Sequence, residues 1–500
     1  MKDAAQLAPL VTGLAFALAF TMGWVANRVN FCTMGAVSDV VAFGDWRRMR
    51  MWLLAIAVAI AGTGALQAAG SIDVARSLYT GAQVSWLSRI VGGLLFGFGM
   101  TLASGCGNKT LIRIGAGNLK SLVVLIVLAI SAYMTLKGAF AGARAFGLDP
   151  VRFDFAKLGA KTSDLPSIVG ASAGGARLAI SLAVAAAIAV FVFASRDFRG
   201  TREMVVGGIV IGAVVVGGWY VSGHLGFLAE DPATLEEKFV ATNSGRMESF
   251  SFVSPAAYLL ELLMLWTDTT RVLTFGIAGV LGMAAGSAAY ALSSRTFRWE
   301  GFGGVEDIAN HIAGGAMMGF GGVTALGCTI GQGLTGVSTL AIGSFVSLAA
   351  IIAGAVGAMR YQAWRLDRMA CSASTARARP PRHRHHDRVR SPLRQRPRVR
   401  GLVRFRRGVR RPVRRGPRAL PDLRHGRGRP AAFSAGERDP GSRVRGGPRR
   451  GVDRTGGRAA GRTAREAPRC GPQDRERRPP LPGGSPEDPL RGSSAPSDPR

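Results

Sequence analysis

Nine apolar stretches of about 20 residues alternate with polar segments in the first 360 residues of the chain. About 20 apolar residues in a helix span the hydrocarbon core of a bilayer, so each stretch is predicted to be a transmembrane helix. The first one lacks a lysine-rich flank and a small-residue cleavage site, and it is predicted to be a retained helix rather than a signal peptide. The stretches cover residues 7–26, 51–70, 86–105, 119–141, 178–195, 203–221, 272–292, 311–328 and 338–358.

Two further apolar stretches, 32–44 and 254–266, are too short to cross a bilayer. Glycine and proline at their edges favour re-entrant half-helices, which are tolerated where protein rather than lipid surrounds them. The predicted fold class is therefore an all-α polytopic membrane protein with about nine transmembrane helices plus short re-entrant helices.

One motif occurs twice, 222 residues apart. The segments Ile90–Cys106 and Ile312–Cys328 are identical at nine of seventeen positions, and each is apolar, rich in glycine and ends in a cysteine. A duplicated membrane protein with a cysteine near the end of a hydrophobic segment in each half is typical of a transporter whose pathway lies at the repeat interface.

Basic loops predict the orientation of the helices, because arginine and lysine concentrate in cytoplasmic loops. With nine spans, the N-terminus lies outside and the C-terminus in the cytoplasm, and the loops 142–177 and 222–253 lie outside. The repeat halves, about 1–141 and 178–369, are then inverted and related by a pseudo-two-fold axis. The loops assigned to the cytoplasm are marked by Arg47, Arg48 and Arg50, by Arg196, Arg199 and Arg202, by Arg295 and Arg298, and by Arg360, Arg365 and Arg368.

The net charge of +32 belongs mainly to the last 130 residues. Residues 1–370 contain 27 Lys+Arg against 20 Asp+Glu, whereas residues 371–500 contain 36 Arg, no Lys and 11 acids. The positive charge is therefore no argument that the core, 1–369, binds nucleic acid. The segment 370–500, rich in Arg, Pro and Gly, is predicted to be disordered. Several residue types, lysine among them, are absent from this segment. Their absence favours a GC-rich gene that is translated out of frame, or a wrongly assigned end of the gene. The alternative is a basic tail that binds nucleic acid or anionic lipid.

Three of the five cysteines, Cys32, Cys106 and Cys328, lie in membrane-like surroundings, and an odd number does not indicate a disulfide framework. No acidic residue or histidine stands beside them in the sequence, which argues against an activated nucleophile and against a zinc site. We therefore predict no catalytic residue, no metal and no cofactor. Taken singly, a buried cysteine is most often an inert small hydrophobe.

Gly105, Gly107 and Gly327 surround the repeated cysteines with small residues. One interpretation is close helix packing. The other is a broken helix whose free N–H groups face an anion, with room for the substrate to touch the backbone. A thiol is a soft, weak hydrogen-bond donor, which suits a sulfur-containing anion better than phosphate or chloride.

Four polar residues complete the predicted site. Lys109 places a positive charge at a pore mouth, or extends as an interfacial lysine beside Arg113. Asn108 and Gln332 donate hydrogen bonds to an anion or cap local backbone, and Thr329 directly follows Cys328.

Three motifs occur in order along residues 1–369. They resemble the YeeE/YedE family of bacterial sulfur-transport membrane proteins. The resemblance implies thiosulfate uptake across the inner membrane, with the ion passed along Cys32, Cys106 and Cys328 by S–H···S contacts and without covalent intermediates. It also implies a small cytosolic sulfur-carrier protein as a partner, although residues 371–500 lack the Cys-Pro-x-Pro signature of a fused carrier. The motifs are Asn27-Arg28-Val29-Asn30-Phe31-Cys32, Ser104-Gly105-Cys106-Gly107-Asn108-Lys109-Thr110-Leu111 and Leu326-Gly327-Cys328-Thr329-Ile330-Gly331-Gln332-Gly333-Leu334-Thr335-Gly336.

The sequence therefore predicts an inner-membrane permease for thiosulfate or a related sulfur-containing anion. Two alternatives are a membrane sulfurtransferase or thiol oxidoreductase that forms a cysteine persulfide, and a scaffold whose cysteines only pack. The variant of the first motif with Asn108 and Lys109 leaves open whether the ion is thiosulfate or another sulfur or selenium species.

Overall fold

A computed structural model describes residues 4–171, 174–231 and 235–377. Within it, residues up to Ala370 form one compact unit. The last helix continues to Arg377, eight residues past the boundary predicted at 369. The rest of the predicted tail, 378–500, lies outside the described residues, so its predicted disorder stays a prediction.

Fifteen α-helices build the described part of the chain, and short π-helical, 3₁₀ and β segments connect some of them. The helices are α1 (Ala4–Arg28), α2 (Thr33–Phe43), α3 (Arg47–Ala68), α4 (Trp86–Leu102), α5 (Gly107–Gly115), α6 (Leu119–Leu136), α7 (Ala139–Gly142), α8 (Leu165–Ile168), α9 (Gly174–Phe193), α10 (Arg196–Gly200), α11 (Arg202–Tyr220), α12 (Val253–Met264), α13 (Phe275–Ser293), α14 (Val305–Thr324) and α15 (Ile342–Arg377).

The β segments form two antiparallel pairs of two residues each. In the first, β1 (Gln83–Val84) pairs with β2 (Phe153–Asp154), and in the second, β3 (Phe227–Leu228) pairs with β4 (Lys238–Phe239). The 3₁₀ segments are Val74–Arg76 and Phe155–Leu158, and the π-helical segments are Ala143–Leu148, Val221–Leu225 and Gly331–Gly336.

The predicted all-α polytopic membrane fold is confirmed. Among the described residues, eight helical segments are long and apolar enough to cross a membrane, and they include every predicted span except 311–328. That ninth stretch lies in α14, a helix of 20 residues whose first turns carry Glu306, Asp307 and His311 and are therefore less apolar. The short stretches form α2 and α12, of 11 and 12 residues.

The two copies of the repeated motif, α4 and α14, pack directly against each other in opposite directions. A methyl group at Gly92 would lie 2.8 Å from the carbonyl oxygen of Gly321, and one at Gly321 would lie 2.6 Å from that of Gly92. Gly99 and Gly314 are related in the same way, at 2.7 and 2.6 Å. In the repeat, Gly92 corresponds to Gly314 and Gly99 corresponds to Gly321. Gly92 therefore contacts the counterpart of Gly99, and Gly99 contacts the counterpart of Gly92. The repeat helices therefore cross antiparallel about a local pseudo-two-fold axis.

Further glycines extend this symmetry to the flanking helices. Gly93 and Gly97 of α4 pack on the backbone of α15, and their counterparts in the repeat, Gly315 and Gly319 of α14, pack on that of α6. Close backbone approach at small residues is the usual way in which helices associate in membranes. Much of the glycine in the motif thus serves helix packing, and the core of the molecule lies around this four-helix contact.

Candidate functional site

A break in the helical backbone precedes each of the three core cysteines. Two residues before each cysteine stands a non-glycine residue with a left-handed conformation: φ is 52° at Asn30, 58° at Ser104 and 60° at Leu326. The left-handed region costs an ordinary L-residue about 1–2 kcal/mol. The same costly conformation at three places indicates that the surrounding structure requires these breaks.

Each cysteine then stands before a new helical segment. Cys32 is the residue before α2 and Cys106 the residue before α5, and both have extended backbone. Cys328 shortly precedes the π-helical segment that begins at Gly331. The Sγ atoms of Cys32 and Cys328 each accept a hydrogen bond of 3.4 Å from the backbone N–H three residues later, that of Gly35 and of Gly331. The sequence-based interpretation of broken helices at the cysteines therefore agrees with the backbone.

The tertiary structure brings the three breaks together. The thiols of Cys32 and Cys106 face each other closely enough to interact, and the Thr329 side chain lies beside Cys106. Because Thr329 directly follows Cys328, the two repeat copies meet at this point. Cys32 is 5% exposed, and Cys106 and Cys328 are fully buried. All three are free thiols.

Unpartnered polar atoms surround these thiols. Asn108 is 1% exposed, and neither its Nδ2 nor its Oδ1 has a hydrogen-bond partner within the described part of the chain. The Oγ1 atoms of Thr33 and Thr329 are buried and unpartnered in the same sense. Gln332 differs, because its Nε2 donates to the Ala325 carbonyl at 2.7 Å. Of the two amides predicted as anion donors, Asn108 is available and Gln332 caps local backbone.

A cavity of about 800 Å³ leads to Cys32. It lies at the end of α4 that bears Ser104, beside the start of α14. Its basic residues include Arg48, which pairs with Asp39 at 3.3 Å, and Lys109, whose Nζ donates to the Asn30 side-chain oxygen at 2.9 Å. A neutral amide does not cancel the charge of Lys109, so the cavity keeps a positive charge beside Cys32. That this cavity is a pore mouth stays a prediction.

A second cavity, of about 160 Å³, lies at the opposite end of the α4–α14 pair. Leu326, two residues before Cys328, lines it together with Tyr79 and Glu248. Burial raises the pKa of the Glu248 carboxyl to about 7, against the opposing effect of its hydrogen bonds with Ser244 and Asn243. The buried cysteines therefore lie between two cavities at opposite ends of the repeat crossing.

The comparisons with known proteins agree with this architecture. A model of the family described as sulphur transport matches residues 28–357. The chain belongs to this family. It is 25% identical over 346 residues to the thiosulfate transporter TsuA of Escherichia coli (strain K12), covering 67% of this chain and 89% of the relative. It is also 25% identical over 349 residues to the thiosulfate transporter TsuA of Spirochaeta thermophila, covering 69% and 96%. The family recognised from the three cysteine motifs is confirmed.

In this member of the sulphur-transport family, the predicted glycines have distinct surroundings. A Cβ at Gly105 would lie 3.2 Å from Cγ of Lys109, and one at Gly327 would lie 3.2 Å from Gln332. Gly107 has ordinary contacts at 3.9 Å and is not sterically required. Gly105 and Gly327 thus leave room for the two polar side chains that follow the cysteines.

Sequence reasoning missed Thr33 and Arg89. Thr33 stands next to Cys32, and its position there was the available signal. Arg89 stands in the first turn of α4 and is 3% exposed. Its burial depends on where α15 begins, which no local pattern shows.

Proposed function

We propose that the chain is a bacterial inner-membrane permease for the uptake of thiosulfate or a related sulfur-containing anion. The observation that carries the proposal is that the helix breaks at three buried cysteines meet between two cavities. The ion passes from the cavity lined by Leu326 along Cys328, Cys106 and Cys32 to the large basic cavity. The names of the relatives support thiosulfate as the ion.

The polar atoms around the thiols match the two ends of such an ion. Its terminal sulfur is soft and contacts the thiols, whereas its oxygens accept hydrogen bonds from Asn108 Nδ2 and from the hydroxyls of Thr33 and Thr329. A weak S–H contact permits release, which transport requires as much as binding. The unpartnered state of these buried groups supports this role, because an unmet buried donor costs about 1–3 kcal/mol.

The orientation follows from the basic loops and remains part of the proposal. With the N-terminus outside and the C-terminus in the cytoplasm, the large cavity opens to the cytoplasm, where a small sulfur-carrier protein would receive the ion. The exposed residues Phe43 and Gln83 then lie on opposite faces. A membrane-impermeant maleimide applied to spheroplasts is expected to label Gln83→Cys and not Phe43→Cys. The reverse labelling would invert the direction of the path.

Thiosulfate uptake in a bacterium that lacks its own thiosulfate transporters tests the function. Expression of the full chain is expected to restore uptake, and Cys106→Ala or Cys328→Ala is expected to abolish it at unchanged membrane levels. Cys371→Ala, outside the three motifs, is the matched control and is expected to transport normally. Uptake that survives both core substitutions would reject the cysteine path. Absent uptake by a well-expressed chain would reject thiosulfate, and sulfite and selenium anions would be tested next.

The proximity of Cys32 and Cys106 favours one alternative, a sulfurtransferase that forms a cysteine persulfide. A thiolate that attacks the outer sulfur of thiosulfate would form a cysteine persulfide and release sulfite, as the S–S bond of the ion breaks. Mass spectrometry of the protein after incubation with thiosulfate distinguishes the two. The permease is expected to show unmodified thiols, whereas an added mass of one sulfur on either cysteine would favour the sulfurtransferase.

A further inference from the structure

Arg89 carries a buried positive charge that no carboxylate neutralises within the described ranges. The residue is 3% exposed, and its Nε and Nη1 atoms have no hydrogen-bond partner there. The titratable group that acts on it electrostatically is the Tyr79 phenol. Burying an unpaired charge is costly, and ionisable residues inside membrane segments generally mark ligand pathways. A ligand with negative charge would offset this cost.

The Arg89 guanidinium lies against the start of α15. A Cβ at Gly343, the second residue of that helix, would lie 2.5 Å from Cζ and 2.6 Å from Nε of Arg89. A side chain at this position would displace the guanidinium from its place. The first turn of a helix also carries the positive end of the helix dipole, which favours an anion rather than a second cation. Of the N–H groups in this turn, those of Ile342 and Ser344 already donate to the Ser163 and Ala341 carbonyls at 3.0 Å.

Two buried serines lie at the same helix start. Ser344 follows Gly343, and Ser163 accepts the Ile342 N–H on its carbonyl oxygen at 3.0 Å. Both serines are fully buried, and neither Oγ has a hydrogen-bond partner among the residues that the structure describes. Arg89 and the two serines thus adjoin the start of α15, and Nε and Nη1 of Arg89 and both Oγ atoms lack a hydrogen-bond partner in the described part of the chain.

At the pseudo-symmetric position, at the other end of the repeat, the charged and polar groups find partners within the protein. There the start of α6 carries Lys120, which pairs with Asp307 at 2.7 Å. The next residue, Ser121, donates its backbone N–H to the Asn118 side chain at 2.9 Å. The repeat counterpart of Arg89 is His311, which contacts Asp307 at 3.0 Å. Lys120 and His311 at that end share the Asp307 carboxylate, whereas no carboxylate of the described ranges pairs with Arg89.

This cluster adjoins the path of the ion. A Cβ at Gly336 would lie 3.0 Å from Gln332 Oε1 and would also collide with Ser344 Oγ, so those two polar atoms flank the same glycine. The Gln332 N–H donates to the Cys328 carbonyl at 2.7 Å. Tyr79 interacts electrostatically with both Cys328 and Arg89.

We propose that Arg89, Ser163 and Ser344 form, with the start of α15, a binding site for the oxygens of a tetrahedral sulfur oxyanion before it reaches Cys328. This inference rests on the proposed function and adds a station at the end of the path opposite the large cavity. The guanidinium selects negative charge there, and the hydroxyls fix the oxygens. The terminal sulfur is left free for the thiols that follow.

Thiosulfate binding to the purified full chain tests the site. Isothermal titration with sodium thiosulfate at constant ionic strength is expected to show a Kd raised about tenfold or more by Arg89→Gln and about three- to tenfold by Ser344→Ala. Arg89→Lys retains the charge but loses the planar donor set, and we expect an intermediate Kd. Ser121→Ala, the counterpart of Ser344 at the self-satisfied end, is the matched control and is expected to leave the Kd unchanged.

The outcomes separate this site from the proposed function. If the Arg89 variants fail to reach the membrane, Ser344→Ala and Ser163→Ala decide, and an unchanged Kd in both would overturn the site. Cys106→Ala is expected to lose uptake while keeping binding. If the chain binds thiosulfate through Arg89 but does not transport it, the permease is refuted and the site is retained. If folded Arg89 and serine variants transport normally with an unchanged Kd, the site is refuted and the permease is retained.

Discussion

Replacement of Asn108 by leucine is expected to stabilise the protein while it impairs transport. The Asn108 side chain is buried beside the cysteine path, and both of its polar atoms lack partners in the part of the chain that the structure describes. Leucine has a similar size and shape and no polar atom. The substitution therefore removes an unmet amide without creating a cavity.

The expected changes in stability and in uptake follow from the hydrogen bonds of the Asn108 amide without and with the bound ion. A buried polar group without a partner costs about 1–3 kcal/mol, so the free energy of unfolding is expected to rise by that order. In transport, the amide donates to a charged oxygen, and such a bond contributes about 1.5–3 kcal/mol. Since 1.36 kcal/mol corresponds to a tenfold change in rate, uptake at low substrate is expected to fall about ten- to hundredfold.

Thermal unfolding in detergent and initial thiosulfate uptake, measured on the same variant, provide the assay. The midpoint is expected to rise by a few degrees as uptake falls. Asn27→Leu is the matched control, because the Asn27 Nδ2 donates to the Ser287 carbonyl and hydroxyl at 3.1 and 2.9 Å. Loss of satisfied hydrogen bonds is expected to lower the midpoint in that variant.

Two results for Asn108→Leu would refute the proposed role of the amide. If Asn108→Leu unfolds at a lower temperature than the wild type and transports normally, the amide is a structural group whose partners the described contacts do not reveal. If stability rises and transport is unchanged, Asn108 does not contact the ion.

Three further predictions concern packing, pH and charge. Gly321→Ala places a methyl group 2.6 Å from the Gly92 carbonyl oxygen and is expected to cost about 1–3 kcal/mol in thermal unfolding, whereas Gly357→Ala, with nothing within 4 Å, is expected to be harmless; equal stability would argue against the antiparallel glycine crossing. Because the Glu248 pKa is raised to about 7, its carboxyl is mostly neutral at pH 6 and ionised at pH 8, so uptake of an anion is expected to be several-fold faster at pH 6. Glu248→Gln is expected to remove that difference, and a retained pH profile would assign it to another group. Lys109→Met is expected to raise KM several-fold without changing membrane levels, whereas Lys161→Met in an exposed loop is the control, and an unchanged KM in both would show that the charge of Lys109 does not attract the ion.

The helices and the family could be predicted from the sequence because their signals are local. Apolar stretches of membrane-spanning length and the short stretches 32–44 and 254–266 appear as helices within about six residues of their predicted ends, except that the last helix continues to Arg377, well past the predicted end at 358. The repeat around Cys106 and Cys328 indicated glycine packing and broken helices, and both are present. Hydropathy and small residues act on their own segment, so they can be recognised without knowledge of the partner segment.

The neighbours of each side chain were decided by the tertiary structure alone. Cys32 has no counterpart in the repeated motif, and only folding brings its thiol to Cys106. Asn108 and Gln332 were equivalent candidates in the sequence, yet the Ala325 carbonyl lies beside Gln332 while Asn108 has no partner among the residues that the structure describes. Whether a polar group is satisfied depends on which atoms the fold places around it, because hydrogen bonds act over about 3 Å in space and not along the chain. The sequence by itself therefore determined the elements and the chemistry, and the packing of the inverted halves decided which groups remain free to bind an ion.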